Sequence, residues 1–268
     1  VLVDEAHRTQ EGDLGRQMRA ALPNAFLFGL TGTPVNKADK NTFWAFGSEE
    51  DEGGYMSRYT FHDSIRDEAT LPLHFEPRLV DVHVDKETLD KAMAEFKESA
   101  ALTDEEADAL NQKSAKMAAF LKAPERVAKI VGDIAKHFKD KVDPQGFKAM
   151  IVTPDRYACV QYKEELDNYF PTEASRVVIS TTANDDFEFK QKWGVDKSTQ
   201  ERVIDEFNNA NSELKFIIVT AKLLTGFDAP ILQTMYLDKS LKDHTLLQAV
   251  CRTNRLYKGK SFGRIKYI

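Results

Sequence analysis

Taken as a pattern of apolar and polar positions, the chain divides into three stretches. At the start, Val1–Val3 is a short apolar run, Gly15–Leu22 suits a helix, and Ala25–Leu30 (AFLFGL) has the length and content of a buried strand. The turn Thr31-Gly32-Thr33-Pro34 ends that strand. From Trp44 to Asp85 the pattern is less regular, although Leu79–Val84 (LVDVHV) alternates like a half-buried strand. Between Asp85 and Asp140 the period is helical, which predicts helices over 86–100, 104–121 and 125–139. Thr103 with Glu106 three residues later is a capping signal for the second of these. After Gly146, strands expected at Phe147–Val152, Arg176–Ser180, Leu214–Val219, Ile231–Leu237 and Gly263–Ile268 alternate with helices expected at Arg156–Tyr169, Thr199–Asn208 and Leu246–Arg255.

Strands separated by helices predict parallel sheets, whose functional loops leave the carboxyl ends of the strands. The fold class is therefore α/β, with one parallel-sheet unit over residues 1–84, a helical segment over 85–123 and a second parallel-sheet unit over 124–268. Asp4 and Thr31 both sit directly after a strand.

Composition narrows the function classes. The chain has 268 residues, 42% hydrophobic and 30% charged, which is ordinary for a globular protein with a real core. It contains no run of about 18 apolar residues, so no membrane span is expected. Its net charge of −6 repels phosphate, so any nucleic-acid contact must come from a local basic groove. Cys159 and Cys251 lack metal-ligand spacing and are expected as free thiols in a reducing cytoplasm, with a disulfide between them as the alternative. His62, His74, His83, His137 and His244 have no paired ligand spacing, and Trp44 and Trp193 are expected as packing residues. The acidic run Glu49-Glu50-Asp51-Glu52 reads as a solvated loop rather than a cation cage.

The chemistry lies in an ordered set of motifs: "VLVDEAH" at the start, "GLTGTP" at Gly29–Pro34, "MIVTPDR" at Met150–Arg156, "VTAKLLTGFDAP" at Val219–Pro230 and "LLQAVCRTNR" at Leu246–Arg255. This series resembles motifs II to VI of superfamily 2 helicases and translocases. The wording "TGFDAP", followed by "MYLDKSLKDHTLLQAVCRTNRLYKGKSFG", is most like the motor (R) subunit of type I restriction enzymes. The resemblance implies two RecA-like lobes, the first one partial, that close on ATP and Mg²⁺ and step along double-stranded DNA.

Roles follow from that resemblance and must suit the local chemistry. Asp4 would hold Mg²⁺ through its hydration shell, as a hard cation prefers oxygen. Glu5, also placed at the metal, would orient and deprotonate the attacking water. His7 would relay nucleotide state, although a structural hydrogen bond also accounts for it. Thr31 and Thr33 would couple hydrolysis to movement, although a strand-ending turn explains them too. On a helix, Gln248, Arg252 and Arg255 share a face, which suits the charge of a phosphoryl-transfer transition state; a surface ion-pair helix is the alternative. Gly226 and Asp228 would shape a loop near the ribose. Thr153, Arg156, Thr220 and Thr225 would reach the DNA backbone.

No phosphate loop of the form G-x-x-x-x-G-K-[ST] is present. Gly259-Lys260-Ser261 is a partial match that lacks the earlier glycine and precedes a strand. The expectation is therefore a piece of a longer motor subunit that hydrolyses ATP negligibly by itself. The expected partners of the whole enzyme are double-stranded DNA and methylation and specificity subunits. The alternatives are another superfamily 2 motor, or a nucleic-acid-binding module that has lost the chemistry. The final strand, "RIKYI", departs from the family by carrying Arg264 and Lys266 where apolar residues and an aspartate are usual.

Overall fold

The computed structural model describes residues 1–6, 13–34, 41–48, 50–77, 120–241 and 243–268. His7, Glu49, the strand expected at Leu79–Val84, the helix expected at 86–100 and most of that at 104–121 lie outside the described residues. The chain forms two compact units: Val1–Thr70 with Leu241–Ala249, and Leu71–Ser240 with Val250–Ile268.

In the first unit, β1 (Leu2–Val3) pairs in parallel with β2 (Phe28–Gly29), and α1 (Asp13–Ala21) lies between them in sequence. The short helices α2 (Thr42–Phe46) and α3 (Phe61–Arg66) follow. Arg19 of α1 donates to the Ala45 carbonyl at 2.9 Å and stands over the Phe46 ring, fastening α1 to α2. Gly29 is required by close packing: an added Cβ would lie 2.7 Å from the Phe46 ring and 2.9 Å from Ala6. The buried strand expected at Ala25–Leu30 is not buried, with Phe26 83% and Leu30 55% exposed. A parallel strand is buried only when both sheet faces are covered, which apolar content alone cannot ensure.

The second unit is a six-stranded, all-parallel sheet. Its strands are β3 (Leu73–Pro77), β4 (Lys148–Val152), β5 (Ser175–Val177), β6 (Phe216–Val219), β7 (Leu232–Leu237) and β8 (Gly263–Tyr267), in the spatial order β3-β8-β7-β4-β6-β5. Every residue of β4, β6 and β7 is buried, as expected for strands covered on both faces. Its helices are α4 (Pro124–His137), α5 (Arg156–Leu166), α6 (Phe187–Trp193) and α7 (Lys197–Asn208); α8 (Asp243–Val250) precedes β8 in the chain but falls, up to Ala249, in the first unit. Proline opens α4, where its missing N–H costs nothing. Asp155, Asp186 and Asp196 cap α5, α6 and α7 by accepting backbone N–H bonds. The core joins Ile130, Ile134 and Phe138 of the α4 segment to Tyr162 and Leu166 of α5 and to Ile151, Phe216 and Ile218 of the sheet.

Strand β3 falls inside the 1–84 segment that the sequence pattern places in the first lobe, yet it hydrogen-bonds to β8 in the second sheet. Its register also explains the basic final strand. His74 lies opposite Arg264 and Glu76 opposite Lys266, and Glu76 forms ion pairs with Arg264 at 3.1 Å and Lys266 at 3.4 Å. The two cations are buried in β8 because the neighbouring strand carries a carboxylate for them.

Candidate functional site

The first cluster is built where the parallel pair ends. Leu30 N donates to Val3 O at 2.8 Å and Ala6 N donates to Leu30 O at 3.0 Å, so the turn after β1 and the turn after β2 are stitched side by side. The structure thus brings Asp4 and Glu5 next to the segment holding Thr31 and Thr33. Asp4 and Glu5 are exposed, whereas Ala6 behind them is buried. Asp4 Oδ1 accepts the Glu5 N–H at 2.8 Å. Glu5 is held at φ +49, a left-handed conformation that non-glycine residues seldom adopt and that often marks a functional turn. Thr31 Oγ1 accepts the Thr33 N–H at 3.1 Å, and Thr33 is buried. Among the described residues no group of three or more His, Cys, Asp or Glu could hold a metal ion alone. Two exposed carboxylates suit Mg²⁺ nonetheless, because that ion keeps several waters and takes further oxygens from substrate phosphates.

The second cluster lies at the carboxyl ends of β4, β6 and β7. Thr153, expected at the DNA backbone, is fully buried. Its hydroxyl donates to Asp155 O at 2.9 Å and lies 3.0 Å from Cys159 Sγ, so it fastens the start of α5 instead. Arg156 is likewise committed: it is ion-paired with Asp185 and donates to Ser180 O at 3.2 Å. That guanidinium and the Thr182 N–H hold the Asp185 carboxyl down at about 2. Thr220 Oγ1 donates to Pro154 O at 3.2 Å and accepts from Lys239 Nζ at 3.0 Å. Thr225 is exposed, next to Gly226 at φ +70. Leu223 in the same loop is held at φ +65, one of three described non-glycine residues with positive φ, with Glu5 and Glu68.

The expected helix Leu246–Arg255 ends at Val250. Thr253 terminates it, with its N–H and hydroxyl donating to Val250 O at 3.0 and 2.8 Å. The chain then turns toward β3, where Leu71 N donates to Asn254 O at 2.8 Å. Arg252 and Arg255 therefore do not share a helix face with Gln248, which is half-buried on α8. Both arginines instead clasp the loop after β6. Arg252 donates to the Leu224 and Phe227 carbonyls at 3.3 and 3.0 Å, and Arg255 lies 3.5 Å from Asp228. Lys260 of the false phosphate-loop match is buried, with Nζ bound to the Pro230 and Leu232 carbonyls at 2.8 and 2.6 Å, which excludes it from phosphate binding here.

Lys239 and the buried trio Arg126, Asp238 and Tyr162 are missed by the motif reading. The sequence signal was an aspartate and a lysine directly after the fully apolar end of β7 (MYLDKS). Asp238 is 4% exposed, paired with Arg126, and accepts the Tyr162 hydroxyl at 2.6 Å.

Residues 1–108 match the SWI2/SNF2 ATPase family, and residues 178–268 match domain 3 of the type I restriction enzyme subunit R. Across 99% of its length the chain is 37% identical to MjaVIIP of Methanocaldococcus jannaschii, whose name places it among type I restriction enzyme endonuclease subunits; the match covers 27% of that protein. It is 34% identical over 97% of its length to the type I restriction enzyme HindI endonuclease subunit of Haemophilus influenzae, covering 25% of it. The chain thus spans about a quarter of the length of these curated relatives. A fragment structure of an HsdR subunit of a type I restriction enzyme from Vibrio vulnificus YJ016 shares the fold, with a TM-score of 0.62 at 17% identity over 96% of this chain and 42% of that one. No helix among the described residues is long and apolar enough to cross a membrane.

Proposed function

Because the chain is homologous to the endonuclease subunits of type I restriction enzymes, we propose that it forms part of their motor, coupling ATP hydrolysis to movement along double-stranded DNA before remote cleavage. The observation that carries this reading is the pair of stitched turns holding Asp4 and Glu5 beside Thr31 and Thr33 at the ends of two parallel strands. Such strand ends are where α/β sheets bind nucleotides.

In this reading Asp4 would hold the hydrated Mg²⁺ that accompanies ATP, and Glu5 would accept a proton from the attacking water. Mg²⁺ supplies charge neutralisation at the β- and γ-phosphates when bound. The strained backbone at Glu5 keeps its carboxylate outside the regular strand and exposed to solvent. The two arginines divide their work. Arg252 is a positioning residue that holds the loop carrying Gly226 and Asp228. Arg255, 44% exposed and only loosely paired, is the group free to swing to a phosphate. Of the four residues expected at DNA, Thr225 keeps that assignment. Thr220 sets the loop's geometry through Lys239, and the methylation and specificity subunits are the proposed partners of the whole enzyme.

The test is DNA-stimulated ATP turnover by a complete R subunit carrying this sequence. Glu5→Gln is expected to lower kcat by about a hundredfold or more while leaving DNA binding intact. Arg255→Ala should lower kcat with little change in KM. Unchanged turnover in Glu5→Gln would remove the motor reading in favour of a binding module.

A further inference from the structure

The first unit holds a cavity of about 710 Å³ beside α2, one wall of which is Pro34, the residue after Thr33 in the turn that follows β2. Its walls include Phe43, Trp44 and Tyr55, with Gly47, Gly53 and Gly54 leaving room between them. Phe43 and Tyr55 meet edge to face at 4.9 Å, a rigid corner. An added Cβ at Gly54 would lie 3.2 Å from the Phe43 ring, and Gly53 and Gly54 both have φ that other residues resist, +66 and +76. Trp44, expected as a packing residue, is 74% exposed.

The segment joining the lining residues Ser48 and Gly53 carries Glu50, Asp51 and Glu52. None of the three makes an ion pair among the described residues, and two of them are exposed. Arg58, outside the cavity's lining, places its guanidinium 5.6 Å from the centre of the Tyr55 ring, so this ring is already used in a cation–π contact. An aromatic hollow beside unpaired carboxylates attracts a cationic side chain and repels phosphate.

We propose that this pocket docks a lysine or arginine side chain from a basic segment of a protein partner. It is a protein-facing site on a protein whose proposed main ligand is DNA. It does not depend on the motor reading, and its test uses no nucleotide.

The probe is a capped hexalysine peptide, with capped hexaglutamine and a DNA duplex as comparisons. Trp193→Phe leaves Trp44 as the sole tryptophan reporter, and Trp44→Phe is the converse control. Hexalysine should change Trp44 emission saturably, while hexaglutamine and the duplex do not. The surface variant Glu50→Gln/Asp51→Asn/Glu52→Gln should bind about tenfold more weakly, as expected from removing three carboxylate charges, two of them exposed. Calorimetry on the protein with both tryptophans gives the same comparison should Trp193→Phe disturb the second unit. Equal binding by the neutralised variant, an equal response to hexaglutamine, the same change with DNA, or an equal hexalysine response from Trp193 in the Trp44→Phe protein would each overturn the proposal.

Discussion

The buried pair of Arg126 and Asp238 invites a double-mutant cycle. Both side chains are nearly inaccessible, 6% and 2% exposed, and Arg126 spans both carboxylate oxygens. Burial opposes the charge on Arg126, but Asp238 more than offsets it, so the guanidinium pKa is raised. Burial and the same carboxylate raise the pKa of Tyr162. Asp238→Asn keeps the shape and an acceptor for Tyr162, but leaves a buried cation whose remaining partners, the Leu121 carbonyl at 3.1 Å and the Phe120 ring, carry no negative charge. An uncompensated buried charge of this kind costs about 3–5 kcal/mol. Adding Arg126→Met removes that charge, and the double variant should recover at least ~1 kcal/mol relative to Asp238→Asn alone. The assay is urea unfolding at neutral pH in a Trp44→Phe background, read by Trp193, which packs on the core of the second unit. A loss under ~1 kcal/mol for Asp238→Asn, or strictly additive effects, would refute the reasoning.

Three further predictions follow from packing and burial. Burial, aided by the charge of Arg255, holds Lys260 down at about 7 against an ordinary 10.5. The unfolded chain therefore binds that proton more tightly, and stability should rise with pH from about 7 to 10.5, the full penalty being present below that window. Lys260→Met should flatten this part of the melting-temperature profile, and an unchanged slope would count against the assignment. Cys159, pushed up to about 12 by burial, should resist alkylation at pH 8 in the native state while the half-buried Cys251 reacts first, as mass spectrometry of the labelled peptides would show. Gly263→Ala would place a Cβ 2.6 Å from Thr253 O and should cost about 1–3 kcal/mol in the same urea assay, with an unaltered midpoint as the contrary result.

Much of the second sheet was legible. The expected strands at Phe147–Val152 and Ile231–Leu237 match β4 and β7 to within a residue, because fully buried parallel strands leave continuous apolar runs. Strand β3 escaped notice, since its sequence LHFEP is mixed in polarity and its place at the sheet edge leaves Phe75 53% exposed. Helix α6 was missed as well, its short FEFKQKW run lacking a clear apolar stripe. Of the candidate site, the position of Asp4 and Thr31 directly after strands was readable, whereas roles for these two and for Glu5 and Thr33 came only from the family resemblance. The arrangement of Arg252 and Arg255 was not, because helical spacing extends on paper through a segment that Thr253 and β3 divert.

By itself, then, the sequence determined which segments alternate between strand and helix, and which residue types sit at strand ends where phosphate chemistry is possible. Those properties come from periodicity and chemical identity within a few neighbouring residues. Only the tertiary structure decided that β3 joins the second sheet, that Glu76 accompanies two buried cations, that Thr153 is sealed from solvent, and that the arginines clasp the loop after β6. Each of these depends on contacts between residues distant along the chain, and such contacts are set by which surfaces can be buried together.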